Sequence, residues 1–563
     1  MTRVPRRQML HAAASLAAGA LLPGCGQTAS DLPGGYTGID MQRGHALRDR
    51  LRQGDVPQPD NVRRAQVVIA GGGVAGLAAA RALRLAGVHD FALLELEDAA
   101  GGNSRAASVG GMACPMGAHY LPVPGDDARE VQDLLEELGL RQRVAGRWQY
   151  DERHLCHSPQ ERLYLHGHWQ EGLLPMQGVG AATLAQYRRF AARVAELARA
   201  ARFTMPTVKS WLPGQPLAPM LQELDAMTFG AWLAREGFND AHLRWYLNYC
   251  CTDDYGAGSA RVSAWAGIHY FASRHGFHAP GDSDDDQDNV LTWPEGNAWL
   301  TRRLAAPLAG GPLHTGASVL RIAEERAGVT VDAYVHATGR VQRWQAERCI
   351  VALPAFIAAR VVQNAPGFLA EAAQRLQWAP WLVANIHINA PLTDREGAAP
   401  AWDNVLYSDQ PGGLGYVDAG HQRLEPSALL TAPTVLSYYQ ALGDIPNARQ
   451  MLAEQPWTHW RDAIMAVLTT PHPDLPARAT RMEITRYGHA MSIPVPGAQA
   501  FLSQIGIQRL PDKRWMLSNG ERIALTPTPG TQRLLFAHAD WSGYSVFEEA
   551  FTRGHMAGLA AAG

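Results

Sequence analysis

Lysine is nearly missing from this chain: Lys209 and Lys513 are the only two among 50 basic residues. The bias toward arginine reads as genome composition, yet it leaves few positions for chemistry that needs an amine side chain. An excess of one charge is missing as well. The formal net charge of −3 gives no pull toward nucleic acid or an acidic surface. The six cysteines form no C-x-x-C pair and no metal-ligand spacing. With Cys25 set aside for the reason below, the odd remainder (Cys114, Cys156, Cys250, Cys251 and Cys349) argues against a disulfide framework. His154 with His157, and His166 with His168, are close pairs without further ligands nearby, so no metal is expected. No internal repeat is visible.

What is present begins with a targeting signature. Arg6-Arg7-Gln8-Met9-Leu10 sets paired arginines before an apolar run that ends at Leu22, too short to span a bilayer as a mature helix. The pattern resembles a twin-arginine (Tat) signal, and Leu22-Pro23-Gly24-Cys25 resembles a lipobox whose cysteine is acylated. The alternative is an ordinary secretory signal with a chance cysteine. The expectation is export by the Tat route to the periplasm, with a lipid anchor at Cys25. Residues 26–64, rich in Gly, Pro, Gln and charge, read as a tether with one short helix around Gly44 to Arg52. At 563 residues, 47% of them apolar, the rest suits two closely packed domains. Five aspartates between Asp282 and Asp288 read as a solvated loop, or as an entrance that gathers cationic substrate.

Strand-like and helical stretches alternate, as an α/β fold requires. Gln66-Val67-Val68-Ile69-Ala70 suits a buried parallel strand and leads into Gly71-Gly72-Gly73-Val74-Ala75-Gly76, then an alanine-rich helix from Leu77 to Leu85. This is G-x-G-x-x-G in its strand–turn–helix setting. Gly71 permits the tight turn, Gly73 lets the backbone approach a pyrophosphate, and Gly76 lets helix pack on strand. The helix start offers unpaired N–H groups and partial positive charge to phosphate. Phe91-Ala92-Leu93-Leu94-Glu95 reads as the second strand, ending in an acid about 20 residues beyond the glycines that can take the ribose hydroxyls. A second diglycine turn follows in Gly101-Gly102-Asn103-Ser104-Arg105.

That second turn resembles the flavoproteins of the amine oxidase and phytoene desaturase superfamily, which carry Gly-Gly-Arg near the pyrophosphate. Here Asn103 stands where the arginine belongs, and Arg105 is the substitute candidate. Met116-Gly117-Ala118-His119-Tyr120-Leu121 resembles the family turn beside the isoalloxazine ring, and Trp293-Pro294-Glu295-Gly296-Asn297 the return into the flavin domain. Ser318-Val319-Leu320 resembles the strand whose valine backbone meets the adenine, and Cys349 to Pro354 a further strand of that domain. Leu535 to Trp541 resembles the closing strand, with His538 in place of a glycine, and Gly543 to Phe547 opens a last helix. The resemblance implies non-covalent FAD in a Rossmann-like domain of the glutathione reductase type, assembled from discontinuous segments, plus an α+β substrate domain. The expected boundaries are 1–25 signal, 26–64 tether, 65–128, 290–364 and 498–563 flavin domain, and 129–289 and 365–497 substrate domain. It further implies that Asp540 bonds the ribityl or phosphate side, while N–H groups near Val546 face the N1/C2=O edge. Gly102, Gly117, Ala118 and His119 would also lie along the cofactor.

For the reaction itself, Trp541 and Tyr544 resemble one wall of the amine oxidases' aromatic cage, or else they are ordinary packing. His119 and His489 are candidates for proton handling, with a satisfied core histidine the alternative for each. Phe229 to Glu236 and Asp240 to Tyr249 read as consecutive helices, and Asp253-Asp254-Tyr255 either ends the second or offers a carboxylate to a cationic amine. Many amine oxidases of this class place a lysine that holds a water at flavin N5. Here Val383 aligns with it, which leaves O2 and a redox carrier both open as electron acceptor. Three functions remain open. They are hydride removal from the carbon beside an amine, dehydrogenation of an apolar substrate, and a non-catalytic flavin-fold lipoprotein.

Overall fold

The computed structural model describes residues 31–54, 58–210, 216–280, 289–408, 412–424, 432–505, 514–516, 522–524 and 528–563. The twin-arginine segment, Cys25 and the aspartates between 282 and 288 lie outside the described residues.

A five-stranded parallel sheet runs in the order Leu313–His314, Phe91–Leu94, Val67–Ala70, Arg348–Val351, Leu534–Phe536. It draws strands from the start, middle and end of the chain. Parallel strands are covered on both faces, which is why Val67–Ala70 is buried throughout. Val67 and Ile69 meet the helices Val74–Leu85, Arg129–Glu137 and Phe547–Ala562. Val68 and Ala70 meet the opposite layer, built on the strands Ala317–Glu324 and Val329–Val335 and the helices Ala355–Val361 and Gly367–Arg375. Helix Arg129–Glu137, expected in the substrate domain, therefore packs in the nucleotide domain. Its Val131, Leu134 and Leu135 form the apolar face that decides this, and Arg81 reaches Asp133 at 2.7 Å.

An eight-stranded sheet runs in the order Gly34–Tyr36, Ala479–Ile493, Gln377–Ile388, Thr434–Ala441, Gly413–Asp418, Asp403–Leu406, Glu161–Leu165, His168–Glu171. Period-two alternation splits its residues between two cores. Leu382, Ala384 and Tyr438 face the helices Ala448–Glu454 and Trp457–Leu468. Trp381, Val383 and Tyr439 face a helical layer that includes Ala181–Ala200, Phe229–Arg235 and Ala241–Tyr255.

Residues 34–64 are not a tether. Gly34–Tyr36 pairs in parallel with Met482–Ile484, and Asn61–Arg64 with Gln342–Gln345, so this segment joins the edges of two sheets. A sheet edge accepts extended backbone largely regardless of side chain, so composition did not betray the pairing. Between these strands the expected short helix runs over Met41–Gln53.

Candidate active site

Strand Val67–Ala70 ends at Gly71, whose φ of +103° only glycine adopts readily. Gly71, Gly73, Val74 and Ala75 line a cavity of about 450 Å³ between the two sheets. No side chain caps the helix at Gly73, so its first N–H groups and their partial positive charge open on the cavity. Gly76 lies behind the cavity wall, where any side chain would overlap the Gly71 carbonyl oxygen. The second turn docks on the first: Gly101 N donates to the Gly72 carbonyl at 2.8 Å, and Gly102 lines the cavity beside Gly73. Glu95 also lines it. Its carboxylate accepts the Gly72 and Glu97 N–H groups, each at 2.8 Å, so one acid both shapes the glycine turn and faces the cavity. Burial pushes the Glu95 carboxyl up, against the pull of those two N–H groups. Val319 stands on the neighbouring wall.

Asn103 takes a different job from the arginine it replaces. Its Nδ2 donates to the Ala490 carbonyl at 2.8 Å, tying the nucleotide turn to the eight-stranded sheet, and its carbonyl accepts from Ala118 N at 2.9 Å. Gly117 and Ala118 line the cavity, and a side chain at 117 would overlap the Asn103 carbonyl. Arg105 does not reach the cavity. Its Nε donates to the Gly102 carbonyl at 3.1 Å and its Nη1 lies 3.7 Å from Glu97, a charge that holds it beneath the turn. Asp540 lines the cavity but is already engaged. It accepts from Ala355 N at 2.8 Å, Ser492 Oγ at 2.6 Å and Trp378 Nε1 at 3.1 Å. Burial opposes its ionisation, yet His538 and these donors hold the carboxyl down at about 2. Val546 starts the helix Phe547–Ala562 without a side-chain cap, a second helix terminus opening on the same cavity.

The proposed aromatic cage is not where the sequence put it. Trp541 packs against Phe368 and Phe536, and Tyr544 donates its hydroxyl to Asp254; both are buried outside the cavity. Their neighbours are already apolar or ionic, so neither ring is left to face a substrate. The aromatic rings that do line it include Tyr120, Trp378, Trp381, Tyr439, Tyr487 and Phe547. Alternation in Thr434–Ala441 turns Tyr439 to the cavity and Tyr438 away, a signal the sequence offered. His119 lies 4.3 Å from the Tyr439 ring and His489 4.3 Å from Phe356. Burial pushes both imidazoles down to about 4, which favours their neutral form.

The acidic pair does line the cavity. Helix Ala241–Tyr255 runs on through Asp253 and Asp254 to a left-handed cap at Gly256. Asp254 pairs with Arg274 at 3.1 Å, which also approaches Glu548 at 3.5 Å. Among the described residues Asp253 has no such ion pair, and it hydrogen-bonds with Tyr120. Burial, then the charge of Asp254, push its carboxyl up to about 7. Asp403 and Glu161, direct neighbours on parallel strands, lie close enough to couple to it, and burial raises Asp403 well above the usual carboxylate range. Val383 is fully buried, and no lysine lines the cavity among the described residues; Lys209 is held by Glu130 at 2.9 Å. Nor do any three His, Cys, Asp or Glu side chains among those residues group to hold a metal ion.

Two uncapped helix termini, a doubled glycine cradle and a ribose-side acid fit a dinucleotide flavin: the walls supply N–H donors where phosphates carry charge. Among solved structures the chain is similar to a putrescine oxidase with putrescine bound, at 17% identity and a TM-score of 0.61 over 88% of this chain and 99% of that one. It is equally similar to cyclohexylamine oxidase from Brevibacterium oxydans IH-35A, at 17% identity and a TM-score of 0.61 over 88% and 98%. A fatty acid isomerase from P. acnes that produces CLA aligns at 16% identity and a TM-score of 0.57 over 87% and 97%. These likenesses show the fold. No curated protein sequence matches the chain. A family model for flavin-containing amine oxidoreductases matches residues 74–557, from the cradle helix through Asp253 to the last helix, and the chain accordingly belongs to that family as an FAD-dependent oxidoreductase.

Proposed function

We propose that the enzyme oxidises an amine: once the bound nitrogen has lost its extra proton and is neutral, a hydride leaves the carbon beside it, giving an imine that water hydrolyses. Flavin held in this cavity would supply the electron sink for that hydride. The observation that carries this reading is Asp253: a cavity-facing carboxyl with no ion pair among the described residues, pushed up to about 7 by burial and by neighbouring acids. A cation beside it relieves that repulsion, which gives an ammonium group preference over a neutral isostere. Tyr120 and Tyr439 offer ring faces that suit the same charge. Arg274 is neutralised by Asp254 and Glu548, so the same wall gives little to a substrate carboxylate. Amine oxidation by the putrescine and cyclohexylamine oxidases supports the reading by analogy of fold.

A second reading, dehydrogenation or isomerisation of an apolar substrate, draws on the apolar stretch of wall at Trp381, Ile357 and Met491. Anaerobic bleaching of the bound flavin across amines, amino acids and apolar alkenes decides between them. Bleaching by amines alone supports the first, and bleaching by alkenes alone overturns it. Re-oxidation in air then separates an oxidase from a dehydrogenase. Export by the Tat route with a lipid anchor at Cys25 is proposed on the Arg6-Arg7 pair and the lipobox. Membrane fractionation of wild type against Cys25→Ala tests the anchor.

A further inference from the structure

The family match begins at Val74, yet the cavity wall includes a residue thirty positions earlier. Gly44 lies in the first turn of helix Met41–Gln53 and lines the cavity with Glu95, Leu96 and Val319, the end expected to take adenosine. We propose that Asp40–Gly44 belongs to the FAD site, forming a strap that closes over its adenosine end.

The strap is anchored on both sides of Gly44. Upstream, Gly34–Tyr36 is zipped to the sheet edge, where a side chain at 34 would overlap the Met482 carbonyl. The Tyr36 hydroxyl donates to the Gln455 carbonyl at 2.7 Å, and the Arg486 guanidinium covers its ring at 3.4 Å. Next to Gly44, Arg43 donates to the Leu96 carbonyl at 3.1 Å and to Asp98 at 2.8 Å, while Asp40 N donates to Glu97 at 3.3 Å. Downstream, Arg50 stacks 4.6 Å over Tyr334. Residues 40–44 are thus fastened directly to the loop that follows Glu95. Among the described residues beyond its own helix, a Cβ built at Gly44 meets no atom within 4 Å, so their packing does not require glycine there. Space left open toward the cavity is what a ligand would use.

The test is FAD release from the purified holoprotein, read as the rise in free-flavin fluorescence after dilution. Gly44→Leu projects a side chain into the open space, and release should quicken about tenfold. Ala46→Leu, exposed in the same helix but outside the strap, controls for helix perturbation and should release like wild type. Arg43→Ala, which unfastens the strap without adding bulk, should also quicken release. Melting of the apoproteins shows whether any variant is simply unfolded. Release from Gly44→Leu and Arg43→Ala at the wild-type rate would overturn the strap, as would Ala46→Leu releasing as fast as Gly44→Leu.

Discussion

Gly554 in the last helix lies against Ala75 in the first so closely that a side chain at 554 would overlap the Ala75 carbonyl oxygen. One turn on, a Cβ at Gly558 would fall 2.7 Å from Ala82 Cβ. The two helices whose uncapped starts face the cavity are therefore braced on each other. The brace sets how both termini are aimed.

Substituting Gly554 with Ala should therefore disturb cofactor binding from a distance. The obstacle is backbone, which cannot swing aside, and overpacking of this kind costs about 1–3 kcal/mol. We expect a lower melting temperature together with a reduced flavin-to-protein ratio, read from absorbance of the purified protein. Full flavin content and unchanged melting would refute the brace.

Asp253 should separate recognition from stability. Asp253→Asn removes the charge that meets an ammonium, so KM for cationic amines should rise about tenfold or more while kcat changes less. Its folded-state pKa, raised to about 7, lies above the unfolded value. The protonated form is favoured on folding, so this contribution is full below pH ~4 and is lost as pH rises through about 7. The Asn variant should therefore be no less stable than wild type at pH 8, by denaturant titration. For wild type, amine affinity should improve as pH rises through about 7, and that inflection should vanish in the variant.

Asp540 predicts the opposite pH trend. Its folded pKa of about 2 lies below the unfolded value. The stability it contributes is present above pH ~4 and lost as pH falls toward 2. Asp540→Ala strands the donors Ala355 N, Trp378 Nε1 and Ser492 Oγ, and should cost about 3–5 kcal/mol at pH 7. An Asp540→Asn variant should show a weaker dependence on pH between 4 and 2.

The histidines yield a prediction of flatness. His119 and His489 are both pushed down to about 4, so neither should set an inflection in kcat/KM between pH 6 and 9. If His489→Gln removed such an inflection, the assignment of a neutral ring would fail.

The cofactor site was legible because its requirements are local. A strand, a tight turn and a helix start make a phosphate cradle from contiguous residues, so Gly71 to Gly76 and Glu95 can be read in line. Trp541 and Tyr544 misled because a family-like segment specifies residue types, not the direction in which a ring points. Packing by Phe368 around the first, and the Asp254 carboxylate beside the second, drew both away from the cavity. The 26–64 stretch misled for a related reason: strand pairing at an edge depends on backbone that composition does not describe.

Sequence by itself determined the dinucleotide cradle and its acid, since glycine spacing and β-branched strands act over a few residues where sterics and backbone hydrogen bonds dominate. Only tertiary structure decided that Asp253 stands close to Asp254, Asp403 and Glu161, that Tyr439 faces the cavity, and that Gly44 closes its far end. Burial and the charges of residues as distant in sequence as Glu161 and Asp403 set those features, and neither is written in the order of the chain.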